Sequence, residues 1–263
     1  MISRNDATLF GTSLAALLIA TAIAGMACAA TYDDGRRAYR NGDYATALQI
    51  FRRLAERGNA TAQDALGGMY ARGEGVPQDK AEALRWFKMA EEERKGLIAY
   101  NKTDFATALR IFRPLADRGQ VVAEYTIGLM YANGQGVPQD YAEAMKWHRK
   151  AADQGEAKAQ FSVGVMYFKG LGTAANRAEA FKWYLRAANQ GDPTAQFNLA
   201  AMYAKGEAVA RDPVTALMFF TLAAVHNIRG VGPAKAELEK SMSAEQIAEA
   251  MKRVYAWQAK REQ

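Results

Sequence analysis

Cysteine, histidine and proline are scarce in this chain. Among its 263 residues are one cysteine, two histidines and six prolines, against 22 glycines. A single cysteine cannot form a disulfide within the chain, and no CxxC, HExxH or paired Cys/His spacing supports a metal site. The excess of glycine over proline indicates many helix ends and few extended segments.

Motifs of common enzymes and of nucleic-acid binding are absent as well. The sequence has no G-x-S-x-G turn and no phosphate-binding loop, and its net charge of +6 includes no block of five basic residues. We expect His148 to be a surface or half-buried helix residue, and His226 lies in a different repeat. The sequence therefore predicts no enzyme activity, no catalytic residue, no metal, no cofactor and no nucleic-acid partner.

The N-terminal segment is predicted to be an export signal. An apolar stretch from Leu9 to Ala27 follows Arg4, and Ala27-Cys28-Ala29 is a small-x-small pattern of the kind that signal peptidase cleaves. We predict a signal peptide over residues 1–29 and a periplasmic or secreted protein. Two membrane-bound alternatives stay open: an uncleaved anchor, because the apolar stretch nearly reaches the ~20 residues of a spanning helix, and a lipid on Cys28.

A motif centred on Met-Tyr recurs along the rest of the chain. It occupies residues 62–70, 123–131, 159–167 and 195–203, and the last three copies are spaced by 36 residues. Each copy leads through a glycine loop to a second apolar segment that contains Trp86, Trp147, Trp183 or Phe219. In addition, residues 35–94 align with 96–155, with about half of the positions identical. The sequence therefore predicts long hairpins that alternate at first with shorter ones.

Helix signals support these hairpins. Ala62, Leu66 and Tyr70 share one helix face, and Asp79-x-x-Glu82 is typical of a helix start with a reciprocal acid in the first turn. The same start recurs at Asp140 and Asn176. The spacing predicts an all-α chain over 30–229, with hairpins at about 32–58, 60–94, 96–119, 121–155, 157–191 and 193–227. Glycines within the first helices predict close approach of a neighbouring helix backbone, at Gly67, Gly128 and Gly164.

The consensus A-Q-F-x-L-G-x-M-Y-x-x-G-x-G-V-P-Q-D-x-x-x-A-x-x-W-x-x-K-A-A-x-x-G resembles the Sel-1-like repeat, a relative of the tetratricopeptide repeat. Residues 123–155 match it nearly throughout, whereas the last copy has Ala208 for a loop glycine, which leaves its loop geometry open. The shorter hairpins look more like tetratricopeptide units. The resemblance implies a right-handed α/α superhelical solenoid, and residues 230–263, with Ser243-x-x-Gln246, look like a helical cap.

The resemblance also implies an exported scaffold or adaptor that binds a protein or peptide partner in the cell envelope. In such solenoids the first helices line a concave face, and here the predicted binding residues are Arg72, Thr126, Leu129, Asn133, Lys158, Ser162, Val165, Lys169, Asn198 and Lys205. The late lysines favour an acidic peptide or surface. Two alternatives stay open: an envelope enzyme like the β-lactam-related, cysteine-rich relatives, and a secreted factor that acts on host proteins.

Overall fold

The computed structural model describes residues 31–262, with side chains to residue 260, so the predicted signal peptide and Cys28 lie outside the described residues. Within this range the chain forms thirteen α-helices and no strand. They are α1 (Tyr32–Arg40), α2 (Tyr44–Glu56), α3 (Ala60–Arg72), α4 (Lys80–Asn101), α5 (Phe105–Asp117), α6 (Val121–Asn133), α7 (Tyr141–Asp153), α8 (Ala157–Lys169), α9 (Arg177–Asn189), α10 (Pro193–Lys205), α11 (Pro213–Ala224), α12 (Val231–Glu239) and α13 (Ala244–Glu262).

The helices form an all-α solenoid, as the sequence predicts. Each of α1 to α11 packs against the next helix along the chain, and α13 folds back on α11. The long hairpins are α3–α4, α6–α7, α8–α9 and α10–α11. None of the described helices combines the length and the apolar character that crossing a bilayer requires.

The predicted stripe of alanine and one large aromatic residue forms the core of each long hairpin. In α7, Ala144 and Ala151 are completely buried and Trp147 is 5% exposed, and α9 repeats the pattern with Ala180, Trp183 and Ala187. Small residues let the helices approach closely, and each aromatic ring fills the space between neighbouring helices. Burial of these side chains from helix to helix makes the core continuous along the stack.

The predicted helix caps are present, but the reciprocal acids act differently from our prediction. Asp140 accepts hydrogen bonds from the backbone N–H groups of Ala142 and Glu143, at 2.8 and 3.0 Å. The carboxylate of Glu143 pairs instead with Lys146, one turn further along the exposed face. The complete reciprocal arrangement occurs between Thr31 and Asp34 at the start of α1. It also occurs at Ser243, whose backbone N–H donates to Gln246 Oε1 at 2.9 Å while its hydroxyl accepts from the Gln246 N–H.

This difference gives a testable prediction. Asp140→Ala removes the acceptor of two free N–H groups and should lower the free energy of unfolding by about 1 kcal/mol. Glu143→Ala removes only an exposed ion pair and should cost a few tenths of a kcal/mol, about 0.5 at most. Urea denaturation followed by circular dichroism measures both. Equal losses in the two variants would contradict the assignment of the cap to Asp140 alone.

No turn separates the predicted hairpins 60–94 and 96–119. Helix α4 runs without a break through Gly96 to Asn101, so its first half pairs with α3 and its second half pairs with α5. The reason lies at one repeat position. Gly119, Gly155 and Gly191 adopt positive φ and let the chain turn after a second helix, whereas Arg94 stands at the equivalent position and stays helical.

Rings approach the first-helix glycines more closely than backbone does. A methyl group on Gly164 would lie 2.6 Å from Tyr184 Cδ1, and one on Gly128 would lie 2.6 Å from His148 Nδ1. At Gly67 the neighbours are the ring of Phe87 at 2.8 Å and the Ala83 carbonyl at 3.1 Å. The predicted neighbouring backbone therefore lies close at Gly67 and, through the Ala180 carbonyl at 3.4 Å, at Gly164, whereas the three nearest atoms at Gly128 all belong to the His148 ring.

Candidate partner-binding surface

The predicted binding residues lie on the first helices α3, α6, α8 and α10, and we name this set the first-helix surface. The structure sorts them by exposure. Arg72, Asn133, Lys158, Lys169 and Lys205 are exposed; Leu129, Ser162, Val165 and Asn198 are half-buried; and Thr126 is buried. The surface is therefore less accessible in its middle than along the two edges.

Three polar members of the surface are turned back onto their own helices. Thr126 Oγ1 donates to the Val122 carbonyl at 2.8 Å, and Ser162 Oγ donates to the Lys158 carbonyl at 3.0 Å. Asn198 Nδ2 donates to the carbonyl of Thr194 at 2.8 Å. Each bond reaches the carbonyl four residues earlier, which is a common arrangement for short polar side chains within helices. The donor groups of these three side chains are therefore already hydrogen-bonded within their own helices.

Arg72 is also engaged within the chain. Its Nε donates to Glu74 Oε2 at 2.8 Å and its Nη2 donates to the Tyr39 hydroxyl at 2.9 Å. Tyr39 in turn donates to Glu74 at 2.7 Å, which closes a small network between α1 and the loop after α3. The guanidinium of Arg72 thus stabilises the start of the stack and is the least available cation of the predicted set.

Of the six remaining members, Asn133 is exposed at the end of α6, and the other five form a simple pattern on α6, α8 and α10. Leu129 and Val165 are half-buried apolar side chains, and exposed Lys158, Lys169 and Lys205 flank them. Among the described residues, none of these three lysines forms an ion pair. Unpaired ammonium groups beside apolar side chains can attract a carboxylate-bearing segment while the apolar strip contacts its other face.

An aromatic row on the same helices was not predicted. Tyr125 contacts the ring of His148, Phe161 contacts Tyr184, and Phe197 contacts Phe220, with ring centroids 5.4, 5.7 and 5.8 Å apart. In the first hairpin Asp64 takes this place, and the ring of Phe87 is left 38% exposed. The sequence carries a signal for this row, because the two rings of each pair are 23 residues apart in all three hairpins.

His148 is buried, which corrects the expectation of a surface or half-buried residue. The side chain is 2% exposed, because Gly128 leaves room for the ring against α6. Burial lowers the pKa of His148 to about 4, so the imidazole is neutral near pH 7. Within the described range, no group of three or more His, Cys, Asp or Glu side chains is placed to hold a metal ion.

Comparisons with known proteins place this geometry in a family. Two curated relatives match short stretches. The ERAD-associated E3 ubiquitin-protein ligase component HRD3B of Arabidopsis thaliana is 31% identical over 99 residues, which are 35% of this chain and 16% of that protein. The exopolysaccharide production negative regulator of Rhizobium leguminosarum bv. viciae is 43% identical over 51 residues, or 19% of each. The chain thus spans under a fifth of either relative.

Two solved structures match over nearly the whole chain. The protective antigen c5321, present in uropathogenic Escherichia coli strains and displaying an SLR fold, has a TM-score of 0.56 and 30% identity, over 94% of this chain and 56% of its own. A Sel1 repeat protein from Oxalobacter formigenes has a TM-score of 0.53 and 26% identity, over 88% of this chain and 99% of its own.

The repeat itself is matched by a family model. The Sel1 repeat model matches residues 20–59, 60–93, 121–156, 157–192 and 193–224, which is more than half of the chain. It includes the first short hairpin, which we expected to be closer to a tetratricopeptide unit, and leaves out the second. The repeated sequence, the helical solenoid and the two structural neighbours agree with this match. The chain belongs to the Sel1 repeat family.

Proposed function

We propose that this chain is an exported, non-catalytic scaffold that binds an acidic segment of a protein partner in the cell envelope. The observation that carries the proposal is the strip of Leu129 and Val165 on α6 and α8, flanked by Lys158, Lys169 and Lys205, none of which is ion-paired among the described side chains. Apolar contact provides affinity, and the lysines provide steering and orientation.

The relatives support a binding role without naming the partner. HRD3B is by its description a component of a ligase assembly, and the Rhizobium relative is a negative regulator of exopolysaccharide production. Export is proposed from the N-terminal sequence, with a retained anchor or a lipid on Cys28 as alternatives. The mass of the mature N-terminus separates the three. Catalysis by His148 is disfavoured because its imidazole is buried and has a pKa of about 4.

Site-specific crosslinking tests the binding surface. A photo-reactive residue at Val165, on the first-helix surface, should capture a defined partner in cells. The same residue at Tyr255, which is 69% exposed on α13, serves as the control position. We expect a partner peptide rich in Asp and Glu from Val165 and not from Tyr255. No product at Val165, or the same products at both positions, would overturn the proposal.

Charge reversal then tests the electrostatic part. We expect the pair Lys169→Glu and Lys205→Glu to weaken binding of the captured acidic segment at least ~10-fold at low ionic strength, and much less in about 0.5 M salt, because exposed charges are screened. Lys252→Glu on α13 changes one exposed charge away from this surface and should leave the Kd unchanged. Titration calorimetry at the two salt concentrations measures the difference. Equal weakening at both would contradict electrostatic steering.

A further inference from the structure

One face of α4 lacks the cover that the same face has on later helices. In the later long hairpins the second helix packs against the first helix of the next repeat, α8 on α7 and α10 on α9. Because α4 continues to Asn101 and pairs there with α5, residues 81–92 pack against α3 on one side but against no first helix of a following repeat on the other. Leu84 is therefore 54% exposed, whereas Met145 and Phe181 at the same repeat position are half-buried, and Leu217, which α12 and α13 cover, is completely buried.

The uncovered face is the floor of a groove of about 720 Å³. Leu84, Lys88 and Met89 lie on the floor, Glu56 at the end of α2 forms one wall, and Arg118 lies in the turn before α6. A volume of this size accommodates a bound segment of several residues. The floor from residue 81 to residue 92 is about 17 Å long, or three helical turns.

Buried polar groups that line the groove have no partner within the described part of the chain. Gln120 is 2% exposed, and both its amide nitrogen and its amide oxygen lack a hydrogen bond. The indole Nε1 of Trp86, also part of the lining, is buried without an acceptor, but so is that of Trp147 in a hairpin that α8 covers, so this feature belongs to the repeat and not to the groove. Buried polar groups are normally hydrogen-bonded. The Gln120 amide is closed to solvent beside Gly58, so a bound segment reaches it only if neighbouring side chains move.

The contact of α8 with α7 shows what kind of occupant this face takes. Ala159 and Val163 of α8 belong to one apolar cluster with Ala151, and Met145 and Tyr167 pack against that cluster. The Tyr167 hydroxyl also accepts a hydrogen bond from Arg149 Nη1 at 3.5 Å. On α4, Leu84 stands at the repeat position of Met145, and Lys88 stands at that of Arg149. The groove thus keeps the chemistry of a helix-docking face.

We infer that this groove binds an amphipathic helix of a partner protein, which takes the place of a next repeat's first helix. That helix presents a small residue, an aliphatic residue and a tyrosine at positions i, i+4 and i+8, as Ala159, Val163 and Tyr167 do. A second copy of the chain is not the occupant. In each copy α3, α6, α8 and α10 are already packed between their chain neighbours. The inference does not depend on the first-helix surface.

A peptide with the sequence of α8 is the direct probe. We expect the fluorescein-labelled 13-residue peptide AKAQFSVGVMYFK to bind the purified protein saturably, as measured by fluorescence anisotropy. Leu84→Glu should weaken binding at least ~10-fold, since it places a charge on the apolar floor. Ile98→Glu is the matched control, because Ile98 is 53% exposed on the same helix but does not line the groove. A peptide carrying Val163→Asp should not bind.

Three results would overturn the inference. The first is the absence of saturable binding, and the second is an equal loss of binding in the Leu84→Glu and Ile98→Glu proteins. The third is a different occupant: a concentration-dependent dimer in sedimentation that Leu84→Glu abolishes, or a crosslink from residue 84 to residues 1–30 of the same chain. Because both positions are exposed, the variants should fold, and circular dichroism checks this. The Lys169→Glu and Lys205→Glu variant should bind the peptide normally, which separates the two proposals.

Discussion

Glu93→Gln is expected to raise the free energy of unfolding by about 3 kcal/mol at pH 8 and to change it little at pH 4.5. Glu93 is 4% exposed on α4, beside the start of α3, where the Ala60 N–H donates to its carboxylate. Burial raises the pKa of Glu93 from 4.5 to about 7, more than the backbone donor and nearby Arg94 lower it. Above pH 7 the ionised Glu93 carboxylate therefore lowers the free energy of unfolding.

The repeat itself shows that glutamine suits this position. Gln154 and Gln190 occupy it in two later hairpins. Gln154 Nε2 donates to Glu124 Oε2, and Gln190 Nε2 donates to Gln160 Oε1, both at 2.8 Å. In the first hairpin the corresponding acceptor is Gln63 Oε1, which is buried without a partner, as is Glu93 Oε2. An amide at residue 93 can supply the missing donor at every pH.

The sign of the pH dependence follows from proton linkage. Since the folded pKa lies above the unfolded value, the folded chain binds more protons, and its stability falls as the pH rises from 4.5 to about 7. Above about pH 7 the free energy of unfolding lost through Glu93 no longer changes with pH. Glu93→Gln removes this contribution. The free energies of unfolding of the original and variant proteins should therefore be similar at acidic pH and differ at basic pH.

Urea denaturation at pH 4.5, 6 and 8 measures the effect. Glu92→Gln is the control, because Glu92 is the adjacent residue and is exposed. It removes the same charge without relieving burial, so it should change the free energy of unfolding by about 0.5 kcal/mol or less at each pH. A gain for Glu93→Gln that does not change with pH would show that the carboxylate is not the cause.

The long hairpins could be predicted from the sequence because local and tertiary signals coincide there. The cap at Asp140, the alanine and tryptophan stripe of α7 and the left-handed glycine at Gly134 all act within one hairpin. A pattern of this kind repeats four times, so each copy confirms the alignment of the others. The fold class follows from these elements alone.

Features that depend on how hairpins meet could not be predicted in the same way. The fusion within α4 depends on Arg94, because the equivalent residues Gly155, Gly191 and Asn227 all adopt positive φ and let the chain turn. The inward turn of Thr126, Ser162 and Asn198 depends on side-chain geometry within a helix, where solvent-facing and self-bonded residues have the same spacing. The burial of His148 depends on the ring-sized gap left by Gly128.

The last repeat resolves one question that its sequence left open. Ala208 stands where earlier copies have a loop glycine, and it adopts the same left-handed conformation, with φ of 63° against 68° at Gly172. The loop geometry is therefore retained with a methyl group present. An alanine in this region of backbone conformation costs about 1 kcal/mol relative to glycine, so Ala208→Gly should be stabilising by about that amount.

Gly172→Ala should have a much larger and opposite effect. A methyl group there would lie 2.2 Å from the carbonyl oxygen of Tyr141, the first residue of α7, and 2.8 Å from the nitrogen of Ala142. Backbone cannot rotate away as a side chain can, so the loop and α7 must separate. Together with the left-handed strain, we expect a loss of about 3 kcal/mol or more.

Gly155→Ala is the control that isolates the contact from the conformation. Gly155 also has positive φ, at 90°, but a methyl group on it would meet nothing within 4 Å. Strain alone should then cost about 1 to 2 kcal/mol. Thermal and urea denaturation of the Gly172→Ala, Gly155→Ala and Ala208→Gly proteins measure the three values side by side. If Gly172→Ala were no more destabilising than Gly155→Ala, the loop after α8 would not be held against the start of α7.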